Sequence, residues 1–593
     1  MTSNAGGKGS VPALRIAAAQ INTTVGDLEG NVHLIKDWIG QSQEQGIDLV
    51  TFPELTITGY PPEDLVLYDN FIAANKDALT RIAATVEDIV AIVGFVDSEN
   101  GKLFNAAAVL HQRKVVATYR KIHLPNYGVF DEQRYFSSGD ECLVLLIRGL
   151  KVGINICEDI WELDGPSEVQ RAAGAHIIVN LNASPYELSK QGERLKIVTD
   201  LSRRNHVFTL YANQVGGQDE LIFDGGSMLV GPTGELLGRS AQFEETLLVA
   251  DIDIRKIGRS KLEDQPQAGS NEELSRVGQA RVVNIKTVIP DVRPPLRKLS
   301  VHELDKFETI YRALIIGTRD YLRKTGFKKV AIAVSGGIDS ALVTTIAVEA
   351  IGSDNVVGVA LPSRYSSQGS IVDAQDLCSR LEVEMWQIPI ELGHAAFENM
   401  LEEVFEGTKS GVSEENSQAR IRGNLMMSIA NKFSWLILTT GNKSEMATGY
   451  ATLYGDMAGA YAVIKDVPKT LVYELCKHRN QRGPGSPIPQ TIIEKPPSAE
   501  LRPDQLDRDS LPPYDQLDRI IQMYIEERMS AESIVNSELE NPGGGANAAT
   551  VQRIIRLVDT NEYKRRQSPP GPKITGLAFG KDRRLPIASR WQK

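Results

Sequence analysis

Val330-Ala-Ile-Ala-Val334 runs directly into Ser335-Gly336-Gly337-Ile338-Asp339-Ser340, and an apolar helix-forming stretch follows from Ala341 to Ile351. A short β-branched run, a glycine turn and then a helix is what a strand feeding a helix in a parallel sheet looks like in sequence. Two consecutive glycines let the backbone come close to an anion. Successive N–H groups at the start of a helix form a nest for phosphate oxygens. Ser335 and Ser340 add hydroxyl donors. The Gly-Lys-Ser/Thr ending of a Walker A loop is absent, so this is a different kind of phosphate loop.

Outward from this loop the pattern continues. Leu304–Thr325 has a helical period, Lys329–Val334 reads as a strand and Ser340–Ile351 as a helix. Val356–Leu361 and Phe433–Thr440 read as strands and Ala374–Leu381 as a helix. Strands alternating with helices predict a Rossmann-like, doubly wound parallel sheet with helices on both faces. Gly407–Asn416 and Asn480–Asp509 carry neither period and read as long loops of the kind that border active sites.

The amino-terminal half is also α/β. Arg15–Gln20, Asp48–Phe52, Val90–Val96, Ala106–Leu110, Val152–Ile156 and His176–Asn180 read as strands, and Leu34–Ser42 as a helix. Gly231-Pro-Thr-Gly-Glu235 is a turn between the strand-like runs Ser227–Val230 and Leu236–Gly238. Regularity ends after Asp253, and Ile254–Leu299 is polar and then Pro-containing, as a connector would be. The expected division is a disordered tail over 1–12, one domain over 13–255, a linker over 256–300 and a second domain over 301–593.

With 593 residues, two or three domains are expected. The net charge of −11 argues against a general nucleic-acid binder, and no apolar run is long enough to span a bilayer. Four cysteines, with no CxxC pair among them, point to a reduced, cytoplasmic protein rather than a disulfide framework.

Three amino-terminal segments carry chemistry. Asp48-Leu-Val-Thr-Phe-Pro-Glu54 is a strand ending in a carboxylate, Tyr119-Arg-Lys121-Ile-His-Leu-Pro125 carries a lysine, and Val152-Gly-Ile-Asn-Ile-Cys157-Glu158-Asp159 puts a cysteine directly after a strand. Alone, a cysteine is more often a small core residue and a lysine a solvated charge. In this order and these strand contexts the set resembles the nitrilase, or carbon–nitrogen hydrolase, superfamily from about Leu14 to Asp253. That resemblance implies an α-β-β-α sandwich. It makes Cys157 the nucleophile, Glu54 its base and Lys121 the cation that favours thiolate and steadies the oxyanion. By the same resemblance Glu132 is a supporting acid, and Tyr127, Ser184 and Lys190 hold glutamine, whose side-chain amide yields a thioester and ammonia. The other common glutaminase type has a Gly-x-Cys-x-Gly elbow, and Cys157 lacks those glycines.

The carboxy-terminal loop Ser-Gly-Gly-x-Asp-Ser resembles that of the ATP pyrophosphatases that adenylate a substrate. Glu415-Asn416-Ser-Gln-Ala-Arg420-Ile-Arg422, Leu438-Thr-Thr440-Gly-Asn-Lys-Ser-Glu445, Tyr454-Gly-Asp456, Lys469, Pro497-Ser-Ala-Glu500 and Tyr563-Lys564-Arg565 narrow this to a resemblance to the NAD synthetase family from about Val301 to Trp591. The resemblance implies that Ser335, Gly336, Gly337, Asp339, Ser340 and Thr440 bind ATP, and that Asn416, Glu445 and Lys564 contact deamido-NAD. Asp456 and Lys469 carry over less directly to the dinucleotide. Asp339 and Glu445 suit Mg²⁺, a hard cation, and Arg364 is a further ATP neighbour. The implied reaction converts a carboxylate to an acyl-adenylate that ammonia then attacks, with the ammonia channelled from the first half. The resemblance also implies a homo-oligomer. A competing reading joins a nitrilase-like amidase to a ligase for another carboxylate. A third, a scaffold with lost active sites, is disfavoured because Glu54, Lys121, Cys157, Ser335, Asp339 and Glu445 are all present.

Overall fold

Strand β1 (Leu14–Gln20) is buried at all seven positions, as expected of a strand covered on both faces. Its side chains alternate. Leu14, Ile16 and Ala18 enter one core, while Ala17 and Ala19 enter another. The structure is a computed structural model that describes residues 14–252, 277–287, 293–296, 300–301, 303–483, 485–541 and 544–589. The chain forms two compact units. The first takes in the described residues of 1–185, 189–216 and 223–304, and the second those of 186–188, 217–222 and 305–593.

In the first unit, β1 joins β2 (Leu49–Thr51), β3 (Val90–Glu99), β4 (Lys102–His111), β5 (Lys114–Arg120) and β14 (Thr246–Ile252) in a six-stranded sheet ordered β14-β1-β2-β3-β4-β5. β1, β2 and β3 run parallel, and the meander β3-β4-β5 and the β1-β14 pair are antiparallel. A seven-stranded sheet has the order β13-β12-β9-β8-β7-β6-β15. Its members are β6 (Glu141–Ile147), β7 (Leu150–Ile156), β8 (Ile177–Asn182), β9 (Phe208–Asn213), β12 (Met228–Val230), β13 (Leu236–Arg239) and β15 (Gln279–Ile285), while β10 (Val215–Gln218) and β11 (Leu221–Asp224) pair with each other in a two-stranded sheet. The core between the sheets sets Leu14, Ile16, Val90 and Ile92 against Leu145, Val152, Ile154, Val179 and Leu210. Helices Leu28–Glu44 and Asp69–Ala83 cover the outer face of the first sheet. Helix Lys190–Asn205 covers the second through Val198 and Leu201. The result is the α-β-β-α sandwich expected from sequence.

β15 corrects the expected linker over 256–300. It pairs in parallel with β6, from Gln279 against Glu141 to Ile285 against Ile147, on the sheet edge. Only Ile285 is buried in it. An edge strand with one covered residue has a polar sequence, which is why it reads as a connector. The expected tail and residues 256–276 lie outside the described residues.

The second unit holds β16 (Val330–Ala333), β17 (Val356–Ala360), β18 (Glu384–Gln387), β19 (Leu436–Thr439) and β20 (Tyr461–Ala462), all parallel, in the order β18-β17-β16-β19-β20. The chain leaves β16 in one direction to β17 and in the other to β19. The crevice beyond the carboxyl ends of β16 and β19 is therefore the switch point where such sheets bind ligands. Gly407–Asn416 is a loop only in part, because a helix spans Val412–Phe433 and contains Asn416. Its first turn is all polar after Val412, and Glu414 caps it by accepting from Gly411 N at 2.7 Å. Asn480–Asp509 contains the end of helix Lys469–Arg482 and the short helix Gln490–Glu494, and is otherwise mostly irregular. No described helix is long and apolar enough to cross a membrane.

Candidate active sites

Glu54 stands three residues after β2, and Leu55 beside it is left-handed at φ +46°. Gly94 on β3 lies beneath this turn. A Cβ there would meet Leu55 N and Pro53 O at 2.4 Å, so only glycine lets the Glu54 backbone settle. Lys121 follows β5, and Cys157 follows β7 in a left-handed conformation, φ +43°, at the start of a short helical turn.

These three ends meet inside the first unit. Lys121 is wholly buried, and its Nζ donates to Glu54 Oε1 at 2.7 Å and to both oxygens of Glu132 at 2.9 Å. Asn105 Nδ2 donates to Glu54 Oε1 at 2.7 Å, Ala183 N to Glu54 Oε2 at 3.1 Å, and Tyr60 OH to Glu132 Oε1 at 3.1 Å. Buried charges survive only when paired and hydrogen-bonded in this way, and stripping one partner costs about 3–5 kcal/mol.

The electrostatics refine the expected role of Lys121. Burial, then the Glu54 carboxylate, push the Cys157 thiol well above its usual range, and Lys121 only partly offsets them. This environment favours the thiol over the thiolate, so the expected attack by Cys157 calls for a base beside it, the position Glu54 occupies. Burial also pushes Glu132 up to about 7, against the pull of Lys121.

The expected glutamine-binding residues lie around this centre. Tyr127 is half-exposed, with its OH donating to Glu158 at 3.0 Å. Lys190 Nζ sits 4.3 Å over the Trp161 ring and pairs with Glu193 at 2.9 Å. Ser184 is buried and accepts from Arg194 Nε at 3.0 Å, and Arg194 also grips Asp224 at 2.6 Å.

In the second unit, the loop after β16 takes the conformation its glycines predict. Gly336 has φ +77°, and a Cβ on it would lie 2.2 Å from Ser370 O. Gly337 caps the helix Ile338–Ile351, Ser335 Oγ accepts from Gly337 N at 3.2 Å, and Ser340 Oγ donates to Gly337 O at 2.9 Å. A cavity of about 320 Å³ opens beside the loop, lined by Ser335, Gly337, Asp339, Ser340, Thr440, Glu445, Asp456 and Lys469. Its apolar floor comes from strand ends at Val359, Ala360, Ile437 and Leu438. Lys469 Nζ contacts Asp339 Oδ2 and lies 3.5 Å from Glu445 Oε1. Asn442 holds both carboxylate stretches. Its Nδ2 donates to Asp339 Oδ1 at 3.0 Å, and its Oδ1 caps Glu445 N at 3.0 Å. Burial and the neighbouring Asp339 push Glu445 up to about 8, with Lys469 opposing them.

Asn416 and Lys564 do not line this cavity. Both are tied to the segment beside it: Asn416 Oδ1 accepts from Thr452 Oγ1 at 2.8 Å, and Lys564 Nζ donates to Gly449 O at 2.7 Å and Ala451 O at 2.9 Å. Arg364 also stays outside the lining, held by Glu391 at 3.0 Å and Glu398 at 3.1 Å.

Residues 15–261 match the carbon-nitrogen hydrolase family and residues 310–568 the NAD synthase family. A glutamine-dependent NAD(+) synthetase of Thermotoga maritima is 45% identical over 98% of this chain and 99% of its own length. The chain belongs to the glutamine-dependent NAD(+) synthetases. Another such synthetase, from Acinetobacter baumannii, was solved with adenosine diphosphate. It is 38% identical with a TM-score of 0.71, covering 97% of this chain and 98% of that one. A Cytophaga hutchinsonii synthetase, 22% identical over 98% of each chain, shares the fold with a TM-score of 0.79.

Tyr60, Asn105, Trp161, Arg194 and Asn442 join these sites without having been singled out by sequence. Each is a single polar or aromatic residue outside any motif run except Asn442, which stands inside Gly441-Asn442-Lys443-Ser444-Glu445. An Asn three residues before a Glu is a capping-box signal that marks that helix start.

Proposed function

We propose that the first unit hydrolyses glutamine and that the second uses the ammonia to convert deamido-NAD to NAD with ATP, releasing AMP and pyrophosphate. The observation that carries the first half is the buried Glu54–Lys121–Glu132 cluster beside Cys157. Glu54 takes the thiol proton as sulfur attacks the glutamine amide carbon. Lys121 faces the tetrahedral oxygen, and Glu54 returns the proton to the leaving ammonia. Water activated by Glu54 then frees glutamate from the thioester. Tyr127, Glu158, Lys190 and Ser184 hold the amino-acid end of the substrate.

For the second half, the Ser335–Ser340 loop receives the phosphates of ATP, and the apolar strand ends receive its adenine. The deamido-NAD carboxylate attacks the α-phosphorus, pyrophosphate leaves, and ammonia displaces AMP. Asp339 and Glu445 converge on one ammonium, that of Lys469, so their oxygens face a common point as a hard divalent cation requires. Mg²⁺ normally takes one or two carboxylates and completes its shell with phosphates and water. Asp339 and Glu445 would hold it there, where it would neutralise phosphate charge. Lys469 supplies positive charge from the protein itself. Asn416 and Lys564 shape the Gly449–Asp456 side of the cavity, where the dinucleotide docks. All four cysteines are free and buried, in keeping with a reducing cytoplasm.

Pyrophosphate exchange into ATP tests the assignment. Exchange is expected with deamido-NAD and not with aspartate, xanthosine monophosphate or free nicotinate. Equal exchange with another acid would contradict it. A bulk ammonia scavenger added during glutamine-dependent synthesis is expected to intercept little of the nitrogen, because ammonia passes between the units without release.

A further inference from the structure

We propose that Asp159, two residues beyond Cys157, is the positioning residue that sets the Cys157 thiol against the Lys121 ammonium during glutamine cleavage. The inference rests on reading that centre as a glutaminase. Asp159 is fully buried, and its carboxylate accepts four hydrogen bonds. Oδ1 takes Ile122 N at 3.1 Å and His123 N at 2.9 Å, and Oδ2 takes Ile156 N at 2.9 Å and the Tyr119 OH at 2.7 Å. Ile122 directly follows Lys121, and Ile156 directly precedes Cys157.

The two stretches come from different sheets. Lys121 follows β5 of the six-stranded sheet and Cys157 follows β7 of the seven-stranded one. Sheets stacked face to face share side-chain packing, which tolerates sliding, but not backbone hydrogen bonds, which do not. One carboxylate with two oxygens, each taking backbone donors from one side, fixes the two chain ends together. The Oδ2 bond to Ile156 N also spans the left-handed turn at Cys157 and holds it closed. Attack by sulfur on an amide, with Glu54 and Lys121 both in reach, needs placement finer than an ångström.

The chemistry of the four donors makes D159N a selective test. An amide keeps the shape of the carboxylate and replaces one oxygen with NH₂. Whichever way it turns, that NH₂ faces a backbone N–H on the Lys121 side or on the Cys157 side, donor against donor. The full-length protein is assayed for glutamine hydrolysis, for NAD formation from ammonium, and for alkylation of Cys157 by iodoacetamide across pH, read by peptide mass spectrometry. D159N is expected to lose about 100-fold in kcat with glutamine while KM stays within about threefold, since binding groups lie elsewhere. Its ammonium-dependent rate is expected to match native, and the pH midpoint of Cys157 alkylation to rise by about one unit as Lys121 loses its alignment. A kcat within about threefold of native, or a raised KM with an unmoved alkylation midpoint, overturns the inference. Should D159N not accumulate as folded protein, Y119F carries the test, because it removes one of the four bonds. A kcat loss of about three- to fivefold at unchanged KM is expected, and native kcat would contradict. C157A is run beside them. Glutamine hydrolysis surviving in C157A would sink the glutaminase reading itself, whereas a dead C157A with a native D159N would sink only the role of Asp159.

Discussion

Lys121 is fully buried and divides its donors between Glu54 and Glu132, so the proton on Glu132 controls how much positive charge is left for the reaction. Burial lifts Glu132 from an ordinary 4.5 to about 7. A folded carboxyl that keeps a proton the unfolded chain has shed contributes stability that is complete below pH 4.5 and lost as pH rises to about 7. Activity is expected to run the same way. Losing that proton adds a negative charge beside Lys121 and draws its positive charge away from the tetrahedral oxygen. The glutamine-dependent rate is therefore expected to fall as pH rises through 7, and E132Q to flatten the profile there, read from kcat between pH 5.5 and 8.5. At Gly94 the backbone leaves no room for a methyl group. G94A is expected to cost about 1–3 kcal/mol by thermal unfolding and to abolish glutamine hydrolysis, while ammonium-dependent synthesis persists. Glu54, Lys121 and Cys157 were legible as candidates because their order and strand contexts together match a known superfamily pattern, although each alone is a weak signal. Asn105 and Arg194 were not, since a buried polar residue inside a strand or helix looks the same in sequence as an exposed one. What distinguishes them is the partner brought in by the fold, Glu54 for Asn105 and Asp224 for Arg194.

At the scale of elements, the strand-loop-helix around Gly336 was legible because strand, turn and helix signals agree over 22 residues, from Val330 to Ile351. The loop depends on Gly336 twice, through its φ of +77° and through Ser370 O at 2.2 Å from any Cβ. G336A is expected to lower both glutamine- and ammonium-dependent NAD synthesis at least tenfold, roughly one missing strong charge-assisted contact to phosphate, measured as AMP release. Central strands were found because they are apolar throughout. β15 escaped because one covered residue in seven gives no period, and the start of the helix Val412–Phe433 was read as loop because its first turn is polar. Asn416 therefore sits on a helix and orients Thr452, a relation that no spacing in the sequence expresses.

For the whole molecule, the proposed chemistry divides between the two units, whose main boundary falls between Leu304 and Asp305. In that proposal the first unit makes an amide nitrogen reactive with a buried Cys157 and a charge cluster, and the second makes a carboxylate reactive with a phosphate loop and two acidic side chains. The candidate residues of each site lie within a single unit, so the two activities are expected to separate under mutation. NAD synthesis by C157A, with glutamine and with ammonium chloride in parallel, tests this most directly. The expected result is no NAD from glutamine and a native rate from ammonium. NAD formed from glutamine at the native rate, or lost from both nitrogen sources, would contradict it.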